Sequence, residues 1–260
     1  MSSVLIKDGT LYDPLLQQFQ QQDLYFGGKQ IIAKEQAGTP ELIVDAGGCL
    51  VVPGLIDAHL HVFQDGCDGG VNADLACLPN GVTTVVDGGS CGESNYRIFH
   101  NYTIARSDTT IKSCLNISSS GLASTRFVEN LDPDCFSWER IEELFSLYPG
   151  ELVALKVRMS QGIVPVNDFR ALEKTLVFAE RLNCPVVVHM TDPAVDSESV
   201  TNLLRAGDVF CHVFHGAGQT IIGEDGRVRP GIVAAQRRGV LFDACHGRVN
   251  FTLFTASAAP

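Results

Sequence analysis

The chain has 260 residues, 45% of them apolar, which fits one globular domain or a large domain with a small appendage and excludes a disordered or fibrous protein. Acidic residues outnumber basic ones by 30 to 19, so no nucleic-acid partner is expected, because nucleic-acid binders concentrate positive charge. Neither a signal peptide nor a run of about 18 apolar residues is recognisable, so we expect no membrane association and a cytoplasmic location.

The nine cysteines are scattered along the chain, and none forms a C-x-x-C pair. Several lie in or beside apolar runs that resemble strands, namely Cys114, Cys184, Cys211 and Cys245. We therefore expect reduced cysteines that act as small buried hydrophobic residues rather than a disulfide framework.

Residues 1–50 read as short strands separated by turns. The strand-like runs are residues 4–6, 23–26, 30–33 and 42–44, with Gly- and Pro-containing turns between them. This pattern predicts a small antiparallel sheet, which we treat as a partial N-terminal β subdomain.

From residue 50 onward, short apolar runs alternate with amphipathic segments. The predicted strands are residues 50–56, 83–86, 110–117, 152–157, 185–188, 209–213 and 240–242. The predicted helices are residues 95–105, 137–148, 167–182, 197–206 and 230–238, and the clearest is 167–182, with Asn167 as its cap. Such alternation predicts an α/β fold with a parallel sheet covered by helices.

An open doubly wound sheet and a closed (β/α)8 TIM-type barrel both fit this alternation. Nearly every predicted strand ends in a chemically active side chain: His59 and His61, Asp87, Asn116, Lys156, His189, His212 and His246. A barrel gathers the carboxyl ends of its strands around one mouth, whereas an open sheet spreads them out. We therefore predict a TIM-type barrel over residues 51–260, with seven strands and no recognisable eighth. An open-sheet nucleotide-binding enzyme is disfavoured because no G-x-G-x-x-G or Walker-type loop follows the first strand.

His59 and His61 are one residue apart at the end of a strand, so their imidazoles point to the same face. The pair could be half of a metal site or simply two polar residues at the rim. His189 and His212 also follow apolar strands, where a buried imidazole needs a partner. Four such histidines in one barrel mouth favour metal binding.

Lys156 lies inside the apolar run 152–157, where a charged amine would lose its hydration. It could extend its amine to solvent, form a buried ion pair, or be a neutral amine that reacts with carbon dioxide to give a carbamate. Taken alone, the residue favours one of the first two interpretations over the carbamate.

Taken together, these segments resemble the amidohydrolase superfamily, and within it the dihydroorotase-like amidohydrolase and deacetylase group. The resemblance rests on VPGLIDAHLH (52–61), NGVTTVVDGGS (80–90), LKVRMS (155–160), VHM (188–190), CHVFHG (211–216) and FDACHGR (242–248). It covers almost the whole chain, and the combination is more specific than any single segment. It implies hydrolysis of an amide or ester bond in a small N-acyl, O-acyl or cyclic amide substrate, by a hydroxide that bridges two metal ions.

The resemblance also implies a ligand set and a cofactor. His59 and His61 would bind one divalent ion, and His189 and His212 the second, with zinc as the expected metal. Carbamylated Lys156 would bridge the two ions. His215 competes with His212 for the sixth-strand role, and we prefer His212 because it is nearer the strand, leaving His215 as a rim or supporting group.

Four residues are candidates for substrate binding. Arg158 and Arg248 could pair with a substrate carboxylate, because a guanidinium binds carboxylates through paired hydrogen bonds, although either could be a surface arginine. Asn116 and His246, also at strand ends, could add hydrogen bonds. The expected partner is thus a small molecule that could carry a carboxylate. A homo-oligomer is compatible with the sequence.

The resemblance also requires an aspartate after an eighth strand, which would bind the first metal ion and act as general base. After residue 250 we find no such strand, and Asp243 could serve only if the strands were overcounted by one. The catalytic residue is therefore unknown. The alternative function is an inactive, C-terminally truncated barrel remnant with only a folding or interaction role.

Overall fold

The computed structural model describes residues 3–247 and 249–258. The chain divides into two compact units, Met1–Leu55 and Ile56–Pro260.

The first unit consists of short strands in two small sheets. The strands are β1 (Ser3–Lys7), β2 (Thr10–Asp13), β3 (Gln18–Gln21), β4 (Leu24–Gly27), β5 (Gln30–Ile32), β6 (Leu42–Asp45) and β7 (Leu50–Val51). One sheet has the order β5-β4-β1-β6 and the other β3-β2-β7. The expectation of a purely antiparallel sheet is wrong, because β1 pairs in parallel with β6 and β2 in parallel with β7.

The second unit is built on a seven-stranded sheet whose strands follow one another in chain order. They are β8 (Leu55–Leu60), β9 (Val82–Asp87), β10 (Thr110–Asn116), β11 (Leu152–Arg158), β12 (Val186–His189), β13 (Val209–Cys211) and β14 (Leu241–Asp243). The pairs from β9 to β14 are parallel. The predicted strand 50–56 is divided into β7 and β8 at Pro53, whose nitrogen has no hydrogen to donate to a sheet.

Helices connect most of the strands in the second unit. They are α1 (Ala73–Cys77), α2 (Tyr96–Tyr102), α3 (Trp138–Leu147), α4 (Arg170–Leu182), α5 (Ser197–Leu203), α6 (Pro230–Arg237) and α7 (Leu253–Ala258). The predicted α/β alternation is confirmed, whereas α1 and α7 were not predicted. In residues 3–247 and 249–258, no helix has both the length and the apolar character needed to cross a membrane.

The start of α4 differs from its prediction. Asn167 is not the cap: its φ of 59° places it in the left-handed region, and the helix begins three residues later, at Arg170. The carboxylate of Asp168 accepts a hydrogen bond from the Arg170 backbone nitrogen at 3.0 Å, so the turn before the helix is held by Asp168.

The sheet curls, so that its first and last strands meet at their carboxyl ends. In hydrogen-bonding order β8 and β14 lie at opposite ends of the sheet, yet His59 Nδ1 lies 2.7 Å from Asp243 Oδ2, across 184 residues of chain. Strand twist accumulated over seven strands brings the ends together. The result is a partial barrel with a single mouth.

Side chains alternate between the two faces of β11, and this alternation places the candidate lysine. Leu155 and Val157 belong to the large hydrophobic core, which also contains Leu172 and Phe178 of α4. On the other face, Ala154 packs in a small cluster with Cys114, Val187 and Cys211. Lys156 shares the face of Ala154, where small neighbours leave room for its long side chain.

Candidate metal centre

A cavity of about 240 Å³ opens at the carboxyl ends of the strands. Among the residues that line it are eight of the predicted site residues: His59, His61, Asn116, Lys156, Arg158, His189, His212 and His246. The structure thus brings together both histidine pairs and the lysine. Arg248, the ninth predicted residue, lies outside the described residues.

His61 is oriented by a chain of hydrogen bonds to a buried carboxylate. Ser90 Oγ donates to Asp87 Oδ2 at 2.7 Å, so the same hydroxyl oxygen must accept from His61 Nδ1, at 2.8 Å. The proton of His61 therefore lies on Nδ1, which leaves Nε2 free to bind a metal. Burial raises the pKa of the Asp87 carboxyl, while hydrogen bonds from Val62, Gly89 and Ser90 favour its ionised form.

His59 is held by Asp243, whose Oδ2 lies 2.7 Å from His59 Nδ1. Burial raises the pKa of the Asp243 carboxyl, but the hydrogen bond and charge of His59, together with Cys211 and Lys156, leave the pKa below the usual value. Burial and the charge of Lys156 lower the pKa of His59, whereas the bonds to Asp243 and Cys211 raise it, with a net upward direction. A carboxylate on Nδ1 makes imidazole a more basic ligand through Nε2.

His212 follows β13 in an uncommon backbone conformation. Its φ is 64°, in the left-handed region that non-glycine residues seldom adopt, and such strain is concentrated at functional sites. Its Nδ1 lies 3.0 Å from the backbone oxygen of Cys245, so Nδ1 donates the proton and Nε2 remains free. The centroid of the His212 ring lies 4.4 Å from the centroid of the His189 ring and 5.3 Å from that of the His59 ring.

Two of these imidazoles are held in their neutral form by their surroundings. Burial, followed by the charge of Lys156, lowers the pKa of His61 to about 3. Burial and the neighbouring His212 lower the pKa of His189. Neutral imidazole is the form that binds metals, so these two rings need not lose a proton before they can act as ligands.

Lys156 is only 5% exposed, and its amine faces the histidines. Its Nζ lies 3.4 Å from His59 Nε2 and 3.7 Å from Cys211 Sγ. Within the described residues no carboxylate forms an ion pair with it, so the structure does not support the alternative of a buried ion pair. An amine in such a position could form the carbamate implied by the resemblance.

The residues present therefore fit a metal ion. In His59, His61 and His212 each Nδ1 is engaged by a protein partner, which leaves the Nε2 atoms as ligands. Glycine at position 88 leaves room for these rings, because a Cβ there would overlap the His59 ring and would lie 3.2 Å from the His61 ring.

Replacing Gly88 by alanine is therefore expected to displace His59 and His61 and to abolish stoichiometric metal binding. Elemental analysis of the purified variant after zinc loading would measure this. The matched control is Gly69→Ala in the same cavity, where an added Cβ meets no atom within 4 Å. Equal metal content in both variants would contradict the argument.

One wall of the cavity contains a buried carboxylate that sequence reasoning missed. Glu129, 7% exposed, accepts hydrogen bonds from Asn116 Nδ2 at 3.0 Å and from Arg158 Nη1 at 3.3 Å. Arg158 Nε also donates to Ser160 Oγ, and Asn116 Nδ2 to the Gly89 oxygen. Asn116 and Arg158, two of the four predicted substrate-binding residues, thus already have protein partners.

The remaining histidines differ in environment. His246 is exposed at the mouth, where its ring lies 4.2 Å from that of Phe251. His215 is not a rim residue: it is fully buried, burial lowers its pKa, and neither ring nitrogen has a hydrogen-bond partner among the described residues.

Comparison with known proteins agrees with the fold. The chain is 32% identical over 248 residues to a deacetylase of Agrobacterium fabrum and 32% identical over 223 residues to a deacetylase of Brucella anthropi. These matches cover 91% and 83% of this chain but only 60% and 54% of the relatives, so the chain spans little more than half of their length. No family model matches.

The fold matches a solved dihydroorotase with a TM-score of 0.85 and 29% identity, over 99% of this chain and 69% of that one. The chain belongs to the amidohydrolase superfamily, in its dihydroorotase-like deacetylase group. The predicted barrel-type fold is confirmed.

Proposed function

We propose that the chain carries the metal-binding part of a hydrolase that cleaves an amide or ester bond in a small N-acyl, O-acyl or cyclic amide substrate. The supporting observation is the convergence of four imidazoles and one buried amine on a single cavity at the strand ends. The deacetylases and the dihydroorotase that it resembles act, by their names, on bonds of this kind.

In this proposal His59 and His61 hold one divalent ion, His189 and His212 hold a second, and carbamylated Lys156 contacts both. Zinc is the metal we expect for imidazole ligands, although nickel and cobalt share this preference. Bound ions of this kind lower the pKa of water and polarise a carbonyl group. Asp243 and Ser90 keep the ligand nitrogens pointing into the cavity, since each engages the opposite nitrogen of its ring.

Arg158 is the candidate for orienting the substrate. Its Nε and Nη1 are bonded to Ser160 and Glu129, while Nη2 has no hydrogen-bond partner among the described residues. A substrate carboxylate could pair with this Nη2 edge, and the fixed guanidinium would then position the scissile bond. Glu129 partly offsets the positive charge.

The proposal is tested by loading the 260-residue chain with zinc and assaying N-acetyl amino acids, O-acetyl hydroxy acids and cyclic amides. Turnover by the native chain that is lost in His189→Ala would support it. Two bound ions per chain without turnover of any substrate class would instead favour the second candidate function, a metal-binding barrel remnant.

Asp243, which ends β14, is engaged with His59. The general base that the resemblance requires is therefore not assigned to any described residue.

Substituting Glu129 by glutamine tests the role of Arg158. The variant keeps the side-chain shape but removes the negative charge beside the guanidinium, so a substrate carboxylate should bind more tightly. For a partly exposed pair the effect is roughly 1 kcal/mol, about a fivefold fall in KM. KM for an N-acetyl amino acid and for its uncharged methyl ester would be compared. An equal change for both substrates would refute the electrostatic explanation.

A further inference from the structure

Two thiols lie beside the histidines of the candidate metal centre, and the proposed hydrolysis uses neither. Cys211 ends β13 and is buried, while Cys245 follows β14 and lines the cavity. Cys211 Sγ lies 3.2 Å from His59 Nδ1. One ligand atom each from His59, Cys211, His212 and Cys245 lies within 4.8 Å of all the others.

We infer that His59, Cys211, His212 and Cys245 form a second metal site, which takes a thiophilic divalent ion such as Cd²⁺ and thereby disables the hydrolytic site. Metal binding by these four residues does not depend on the proposed hydrolysis, whereas the inhibition rests on it.

The spacing of the four ligand atoms suits a tetrahedral ion. Bonds of about 2.3 Å to sulfur and 2.0 Å to nitrogen give ligand-to-ligand distances of about 3.3 to 3.8 Å in a tetrahedron. The contact between Cys211 and His59, at 3.2 Å, is just below this range. The longest separation, at most 4.8 Å, must shorten by about 1 Å, which side-chain rotation can supply.

The two sites exclude each other because they compete for imidazole nitrogens. A neutral imidazole has only one unprotonated nitrogen. The hydrolytic site needs His59 Nε2, which faces Lys156, whereas Cys211 approaches His59 Nδ1. A thiophilic ion on Nδ1 would replace the proton that Nδ1 now shares with Asp243, and the proton of His59 would then lie on Nε2. His212 has only Nε2 to offer, since its Nδ1 is bonded to the Cys245 oxygen. An ion held with the thiols thus removes two histidines from the hydrolytic set.

Ligand chemistry decides which ions prefer the second site. Thiolates select soft or borderline ions, and each thiol releases one proton to solvent as its metal–sulfur bond forms. Four protein ligands saturate a tetrahedral ion and leave no position for water or substrate. The carboxylate of Asp243, 2.7 Å from His59 Nδ1, would offset part of the charge.

The test is titration of the metal-free, reduced 260-residue chain with Cd²⁺, recording the near-ultraviolet absorption of cadmium–thiolate bonds. We expect one such site per chain, and a fall in Cd²⁺ affinity of more than about 100-fold in the Cys211→Ser/Cys245→Ser double variant, beyond the cost of losing a supporting contact. Cys184→Ser, a half-buried cysteine ahead of β12, is the matched control and should retain the signal.

Mass-spectrometric mapping of thiol alkylation supplies a second measurement that does not need the variants to fold. Cd²⁺ should protect Cys245, which lines the cavity, more than it protects the half-buried Cys184, while Cys211 is already buried in the native chain. Cadmium binding without thiolate absorption, or without selective protection, would overturn the inference. A thiolate signal in a chain without turnover would leave this metal site standing and count against the proposed hydrolysis alone.

Discussion

Replacing Lys156 by alanine is expected to lower kcat/KM by about 10³-fold, which corresponds to about 4 kcal/mol of transition-state stabilisation. The amine lies 3.4 Å from His59 Nε2, and as a carbamate it would supply the oxygens that hold two ions together. The variant should also bind fewer than two ions per chain. Steady-state kinetics and elemental analysis would measure both effects.

A matched control and a rescue experiment separate the carbamate from the bulk of the side chain. Lys112→Ala removes a lysine from neighbouring β10, where Nζ donates to the Gly150 oxygen, and should leave turnover unchanged. A short carboxylic acid added to Lys156→Ala should restore part of the activity, because it can place two oxygens in the vacated space. Full activity of Lys156→Ala without any additive would show that the lysine has no role in metal binding.

Changing Asp243 to alanine is expected to weaken metal binding by about 10- to 100-fold, as the loss of a carboxylate behind a ligand histidine does. The carboxylate holds His59 Nδ1 at 2.7 Å, so without it the ring can rotate and lose its basicity. Asp243→Asn should have a smaller effect, since an amide oxygen still accepts from Nδ1. Competition with a chromophoric chelator would give the affinities.

Asp225→Asn, at an exposed turn, is the control for the removal of an acidic group. Circular dichroism of Asp243→Ala would show whether the sheet is retained. Unchanged zinc affinity in a folded Asp243→Ala protein would mean that the contact with His59 is incidental.

The site residues near the strand ends could be predicted, because the apolar runs that place them are visible in the local sequence. His59, His61, Lys156 and His189 lie at or near the carboxyl ends of apolar runs, and parallel strands gather such ends at one mouth. His212 follows the same rule, although the sequence pattern did not predict its left-handed backbone conformation.

Other parts of the site depend on distant pairings that no local pattern encodes. Asp243 is 184 residues from His59, and only the curvature of the whole sheet brings them together. Glu129 lies in irregular chain between β10 and α3, so neither a helical nor a strand period marks it. The proposed role of Cys211 as a metal ligand could not be predicted either, because a thiol in an apolar strand is interpreted as a small hydrophobic residue.

The contact between His59 and Asp243 also has a consequence for the order of folding. Closing a loop of this length has an entropic cost that grows with the logarithm of the number of residues, so this contact should be among the last to form. Ions that bind only after the sheet has closed would then stabilise the closed sheet. At a free-ion concentration of 100 times Kd, such binding would add about 2.7 kcal/mol to the free energy of unfolding. The supply of metal would thus affect both the chemistry of the cavity and the stability of the curled sheet.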